Sequence, residues 1–209
     1  MIQKLIDEAL LKEQESRKDR VRSGLWSPSS LGRCFRAQYW NRKNEPVTNP
    51  IESRVLRVFK CGKLFHNFVQ EFLPEHQVEV KIQSEDILGY ADIVTEDTVF
   101  DIKSMHSRGF WYMDKEGYDV KKEKYPNWLQ LACYGVLLKK PKLCLVMVSK
   151  DDLCIAEYVQ FTKDWEEDLN KELSTLRKHW VEGLPKPEPR CYNGKECTYC
   201  GFQTKCKGK

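Results

Sequence analysis

Apolar and polar positions change their spacing several times along the chain, and each change predicts an element. Residues 2–22 scatter apolar side chains among charges, which predicts a charged helix ending near Gly24 and the Ser27-Pro28-Ser29-Ser30 turn. A serine cap in that turn predicts a second helix holding Leu31 to Tyr39, followed by a Pro/Asn-rich link at 44–50. From Ile51 to Leu73, Val55, Val58, Phe59, Phe65, Val69, Phe72 and Leu73 recur at helical spacing, predicting a long core helix. After Pro74 the period shortens to two, and Val78 to Ile82, Ile87 to Val94 and Thr98 to Ser104 read as strands. Residues 105–126 show no clear periodicity and read as a long loop. A helix from Asn127 to Leu138 is expected next. Strands at Leu143 to Val148 and Cys154 to Phe161 follow it, then a charged helix from Lys163 to Val181 and a proline-rich tail. This order predicts an α/β fold with a central mixed sheet flanked by helices.

Composition narrows the class. A chain of 209 residues that is 41% hydrophobic can bury one sizeable core, so a single domain spanning 1–209 is expected. Lys and Arg number 35 against 31 Asp and Glu, and the net charge of +4 is too small to prove a nucleic-acid partner. The placement of charge says more. Residues 1–43 hold ten basic and five acidic side chains, and residues 186–209 hold six and two, so the basic excess lies at both ends. The N-terminus carries charges throughout, and no stretch reaches transmembrane length, so an intracellular protein without a membrane partner is expected. Nine cysteines, an odd number, then point to thiols and a bound metal rather than disulfides.

Chemistry concentrates in Gly89-Tyr90-Ala91-Asp92, eight further residues, and Asp101-Ile102-Lys103. Alternation along a strand puts Asp101 and Lys103 on one face and Ile102 on the other. If the strand of Asp92 pairs with this one as a hairpin, the two carboxylates converge within reach of one cation. A divalent ion held by such oxygens polarises a phosphodiester, orients a water and neutralises developing charge, and a neighbouring lysine helps to position or deprotonate that water. Taken alone, Asp-x-Lys describes an ordinary exposed ion pair. Both acids, however, sit in apolar strand sequence, where an unpaired carboxylate is costly to bury.

In order, the chain presents His66 in Gly62-Lys63-Leu64-Phe65-His66, then Asp92, Asp101 and Lys103, then Gln130-Leu131-Ala132-Cys133-Tyr134. This order resembles the RecB-like branch of the PD-(D/E)XK nucleases over nearly the whole chain. The resemblance implies a restriction-endonuclease-like core at 51–182 and a Mg2+- or Mn2+-dependent deoxyribonuclease, chiefly an exonuclease on single-stranded DNA or DNA ends. It implies that His66, Asp92, Asp101 and the Ile102 carbonyl bind the ion. Lys103 would act on the water, and Gln130 and Tyr134 would share one helix face. One nitrogen among oxygen ligands favours manganese over calcium. Glutamate is commoner than aspartate at the position of Asp101 in that branch.

Cys197, Cys200 and Cys206 close the chain, and Cys34 lies near its start. Such spacing brings thiolates to one inorganic centre that clasps the two ends, and from chemistry alone that centre is zinc or an iron-sulfur cluster. One early and three late cysteines also occur in the iron-sulfur RecB-like nucleases, including the CRISPR-associated exonucleases. That likeness implies a [4Fe-4S] cluster on Cys34, Cys197, Cys200 and Cys206, in a subdomain formed by 23–50 and 183–209. Cys191, six residues before Cys197, reads as a spare thiol, and Cys61, Cys133, Cys144 and Cys154 read as small core residues.

Two segments are candidates for contact with DNA. Arg33, Arg36, Tyr39, Trp40, Arg42 and Lys43 mix cations with aromatics, which suits either a single strand or packing beneath the cysteine centre. Arg108, Phe110, Trp111 and Tyr112 follow the catalytic strand and read as a mobile flap. Two alternatives stand beside the nuclease reading: an inactive DNA-binding or accessory subunit of a CRISPR adaptation or recombination complex, and a zinc-stabilised structure-specific endonuclease.

Overall fold

The computed structural model describes residues 1–16, 23–72 and 77–208. Three helices precede the sheet: α1 (Ile2–Glu15), α2 (Phe35–Arg42) and α3 (Ser53–Glu71). Strands β1 (Gln77–Gln83), β2 (Leu88–Val94) and β3 (Thr98–Met105) follow, then short helices α4 (Ser107–Tyr112) and α5 (Val120–Glu123). The chain continues through α6 (Tyr125–Leu138), β4 (Lys142–Ser149), β5 (Ile155–Phe161), α7 (Glu166–Glu182) and α8 (Gln203–Lys207). The five strands form one sheet in sequential order. Every neighbouring pair is antiparallel except β3 and β4, which run parallel. A parallel pair needs a crossover, and the segment carrying α4, α5 and α6 provides it.

The expected α/β class and mixed sheet are therefore present. Residues 17–22 of the first expected helix lie outside the described residues. The second helix starts at Phe35 rather than Leu31, because Pro28–Ser30 form a separate 3-10 turn and Gly32 takes a φ of 74°. The expected loop at 105–126 contains two helices, each capped by a side chain: His106 accepts the Arg108 N–H, and Asp119 accepts those of Lys121 and Lys122. Short capped helices leave too few turns for periodicity to register.

The sheet divides the apolar interior in two. Leu143, Leu145 and Met147 of β4 join Trp128, Leu129, Leu131 and Ala132 of α6 in the larger cluster. Ile102, Cys144, Val146 and Val148 pack on the other face, with Phe65 and Val69 of α3 against them. Helix α6 lies so close that a Cβ on Gly135 would stand 2.6 Å from Leu143 and from Thr162. A Cβ on Gly89 would similarly strike Pro28 at 2.6 Å, so glycine lets the 3-10 turn rest on β2. The expectation that α3 is a core helix is corrected. None of its residues is fully buried, and Phe59, Leu64 and Phe68 are exposed, because only the stripe through Phe65 and Val69 meets the sheet.

The two ends of the described chain are stitched together. Gly201 O accepts from both the Thr48 and Asn49 N–H groups at 2.9 Å, and Arg36 Nε donates to Pro185 O at 2.6 Å. Trp40 is buried against Phe202, with ring centroids 5.3 Å apart.

Candidate active site

Strand β2 breaks its alternation at Asp92. Ala91 belongs to the larger cluster under α6, whereas Ile93, two residues on, packs with the α3 cluster. In a regular strand these two would share a face. Directly across the β1–β2 ladder, between the pairs Val78–Ile93 and Val80–Ala91, stands Glu79 with a φ of 50°. Left-handed backbone is uncommon for a glutamate, and distortion of this kind re-aims side chains beside sites.

The β2–β3 ladder holds only Ile93–Phe100 and Val94–Val99. Where it stops, the Asp92 carboxylate takes over and accepts the Ile102 N–H at 2.8 Å. His66 of α3 approaches the same oxygen, with Nδ1 3.5 Å from Asp92 Oδ2. Past the two ladder pairs, β2 and β3 are thus joined through the Asp92 side chain across an opening in the sheet.

Asp101 is fully buried. Its Oδ1 accepts from Lys103 Nζ at 2.6 Å and from Gln130 Nε2 at 2.8 Å, and Gln130 also donates to Tyr134 Oη at 3.1 Å. Its Oδ2 is buried without a partner. An unsatisfied buried carboxylate oxygen is expensive unless a cation or proton meets it, so the donor set fits a divalent ion. Burial raises the Asp101 pKa, and the Asp92 charge adds to the rise. Burial also opposes the charged form of Asp92, but the His66 hydrogen bond and the Lys103 charge outweigh it and hold that carboxyl below the usual range. Environments that drive two neighbouring carboxyls apart in proton affinity are characteristic of reacting sites. Burial, with the Asp101 charge, raises Tyr134.

Of the residues singled out in the sequence, His66 and Asp92 form one pair, and Asp101, Lys103, Gln130 and Tyr134 form a second linked group. Ile102, next to Asp101 in the chain, connects the two through its N–H to Asp92, while its side chain lies in the α3 cluster. A cleft of about 600 Å³ borders the site at His66 and Lys103, without Asp92 or Asp101 among its lining residues, and is also lined by Glu79, Lys63, Lys150 and Tyr192. These last four were missed. Lys63 was legible, one helical turn before His66; Glu79, Lys150 and Tyr192 come from elements that only the fold brings near.

Cys34, Cys197, Cys200 and Cys206 line a second, small cavity of about 50 Å³ beside Trp40 and Glu196. Cys191 is not among its lining residues, and burial pushes its thiol up to about 11. Burial and the neighbouring thiols raise Cys197 and Cys200 as well. Mutual repulsion among thiolates is what a cationic centre would relieve. Among the described residues no three His, Cys, Asp or Glu side chains are gathered tightly enough to grip one ion as they stand. Four thiols lining one cavity fit the donor set of a zinc ion or of an iron-sulfur cluster.

Two buried acids organise this lobe and were also missed. Glu196 accepts the Cys34 N–H at 2.8 Å and the Arg190 N–H at 2.9 Å. Glu172 takes both Arg190 guanidinium arms, at 2.9 and 2.7 Å, and the Gly32 N–H at 2.8 Å. Glu172 carried a signal, a charge within the buried stripe Leu169, Glu172, Leu176 of α7.

No family model and no curated protein sequence matches the chain. Solved structures do. The crystal structure of SSO0001 aligns over 99% of this chain and 96% of that one, with a TM-score of 0.61 at 20% identity. An alkaline exonuclease, LHK-Exo from Laribacter hongkongensis, aligns over 77% of this chain and 90% of its own, with a TM-score of 0.51 at 12% identity. The chain shares the fold of these two structures. Within this fold Asp101 is the one place among the described residues where a carboxylate oxygen is buried without a partner.

Several of the residues considered for DNA contact are engaged in packing. Arg42 is sandwiched between Trp26 and Trp180, its guanidinium 3.8 and 4.5 Å from their ring centroids, and it donates to Gly24 O and Asp86. Tyr39 packs on Trp180 at 5.4 Å. Trp40 is buried against Phe202 and, with Arg36, lines the thiol cavity, whereas Tyr39 and Arg42 pack on Trp180 of α7. In the expected flap, Phe110 and Met113 are buried, leaving Trp111 and Tyr112 exposed. Among the described residues no helix is long and apolar enough to cross a membrane.

Proposed function

We propose that this chain is a divalent-metal-dependent deoxyribonuclease that hydrolyses phosphodiester bonds at DNA ends or in single strands, with a [4Fe-4S] cluster clasping its termini. The observation that carries the reading is Asp101: fully buried, hydrogen-bonded to Lys103 and Gln130 through one oxygen, and unpaired at the other. His66, Asp92, Asp101 and the Ile102 carbonyl would hold Mn2+ or Mg2+. When bound, the ion supplies charge neutralisation at the phosphate and lowers the pKa of a coordinated water. The chain does the rest. Lys103 holds a proton-transferring ammonium beside Asp101, Gln130 fixes the Asp101 carboxylate, and His66 fixes that of Asp92. The exonuclease-like fold supports this assignment, as does the pairing of a low-pKa Asp92 with a raised Asp101.

Cys34, Cys197, Cys200 and Cys206 would hold the cluster, with Cys191 spare, in a subdomain drawn from 23–50 and 183–209 around the 51–182 core. Hydrolysis moves no electrons, so the cluster's part is structural: its binding energy is folding energy for the two ends. Anaerobic purification followed by assay on end-labelled single- and double-stranded DNA with manganese, magnesium or EDTA tests the proposal. Metal-dependent release of nucleotides by the wild type, lost in Asp101→Ala, is expected. DNA that stays intact with either metal would leave only an accessory role.

A further inference from the structure

The cleft at the candidate site has one wall that does not belong to the sheet or its flanking helices. Tyr192, the residue after Cys191, lines it beside His66 and Lys103, so the cysteine lobe reaches the place where chemistry would occur. Tyr192 and Asn193 both take left-handed backbone, with φ of 56° and 50°, where the chain turns sharply. The Tyr192 ring is half in solvent, at 54% exposure, and is braced rather than loose. Tyr199 meets it edge-on at 6.4 Å, and the Arg33 guanidinium lies 5.9 Å from its centroid. Around the same cleft, Lys63, Lys103 and Lys150 bring three ammonium groups, of which Lys103 is paired with Asp101, and Glu79 is the one acid among the lining residues.

Ammonium groups attract phosphates without regard to sequence, and an aromatic face attracts the π-face of any base. A duplex keeps its base faces stacked inside and offers one only at its end, whereas an unpaired strand offers them all. We propose that Tyr192 is a stacking platform for an unpaired nucleotide next to the phosphate being cleaved, with Lys63 and Lys150 holding the flanking phosphates. The inference rests on the nuclease reading and deepens it: the cysteine lobe selects single-stranded over paired DNA by supplying one wall of the cleft. It also gives that lobe a route to activity that needs no electron transfer, since loosening the lobe withdraws the platform.

The test is equilibrium binding of a fluorescein-labelled deoxythymidine oligomer in EDTA, followed by anisotropy, with wild type, Tyr192→Phe and Tyr192→Ala. Brown colour and melting temperature serve as controls for the lobe. Loss of one stacked base should weaken Tyr192→Ala binding by about 5- to 150-fold, while Tyr192→Phe keeps it. An oligomer carrying one abasic position, moved along the strand, should bind the wild type worse at one register and should make no such difference to Tyr192→Ala. If Tyr192→Ala binds the oligomer as the wild type does and cleavage persists, the platform is overturned and the nuclease reading stands. Equal weakening on intact and abasic oligomers at every register would reduce Tyr192 to a structural role and overturn the proposal. A wild type that neither binds nor cleaves would overturn both readings together.

Discussion

Gln130 Nε2 lies 2.8 Å from Asp101 Oδ1, a contact between α6 and β3 that closes over the buried carboxylate. Its geometry makes Gln130 the residue that fixes which Asp101 oxygen stays unpaired. Replacing it by alanine leaves a buried acceptor with one donor fewer, which should cost about 1–3 kcal/mol of stability. Gln130→Ala is therefore expected to melt several degrees lower and to cleave more slowly at low manganese than at saturating manganese. Thermal melts and a manganese titration measure the two effects. An unchanged melt with an unchanged metal requirement would make the contact incidental.

Lys103 and Asp101 test the reacting groups directly. Lys103 Nζ sits 2.6 Å from Asp101 Oδ1 with its side chain partly open to the cleft. Removing a proton-transferring group that acts in the transition state costs about 10²- to 10⁴-fold in rate. Lys103→Ala should fall in that range while still binding DNA. Asp101→Ala should be inactive, since a proposed metal ligand goes with it. Circular dichroism should show both variants folded, and brisk cleavage by Asp101→Ala would remove Asp101 from the site.

Much of this constellation was legible because strand alternation and helix periodicity are local rules. Asp101 and Lys103 two apart on β3, and Gln130 and Tyr134 four apart on α6, share faces for reasons that involve no other part of the chain. The longer elements followed from period, α4 and α5 did not, and the mixed sheet followed from the order of the rest. What escaped was set by long-range geometry. The sheet opening at Asp92 depends on Glu79 across the ladder, and nothing in the local spacing of either strand announces it. α3 looked like core because its apolar residues recur at helical spacing, yet period alone does not say how wide a stripe the neighbours cover. The basic and aromatic run at 33–43 was ambiguous for the opposite reason: phosphate contact and cation–π packing use the same residues, and only the positions of Trp26 and Trp180 decide between them.

That decision carries its own prediction. Arg42 is held between the two indoles and donates to Asp86, which also accepts from Arg177 Nε at 2.6 Å. A desolvated cation–π contact is worth about 2 kcal/mol, so Arg42→Ala should lower stability by at least that much through lost packing. Its affinity for DNA, measured below the melting transition at fixed salt, should stay within about twofold of the wild type, in contrast to a lysine or arginine whose phosphate contact contributes to the salt slope. A shallower salt dependence of binding in Arg42→Ala would place that guanidinium on DNA after all.

The last prediction separates the clasp from the cluster it would hold. Cys34 is positioned twice over: by its place on the thiol-lined cavity, and by its N–H donating to Glu196 Oε1 at 2.8 Å while the other Glu196 oxygen takes Arg190. Glu196 is buried and carries no thiol, so it can be changed without touching a proposed ligand. Glu196→Ala strands two backbone donors and should cost about 1–3 kcal/mol. If the carboxylate pre-positions Cys34, Glu196→Ala should still turn brown on anaerobic purification but lose its colour faster in air or under chelator, together with a lower melting temperature. Cys34→Ala, Cys197→Ala, Cys200→Ala and Cys206→Ala should lack the colour from the outset, whereas Cys191→Ala and Cys61→Ala should keep it. Iron and sulfide analysis against visible absorbance distinguishes these classes. One zinc per chain in a colourless wild type would replace the cluster by zinc and leave the nuclease site untouched. Colour that decays in Glu196→Ala at the wild-type rate would mean that the four thiols hold the lobe without help from the carboxylate.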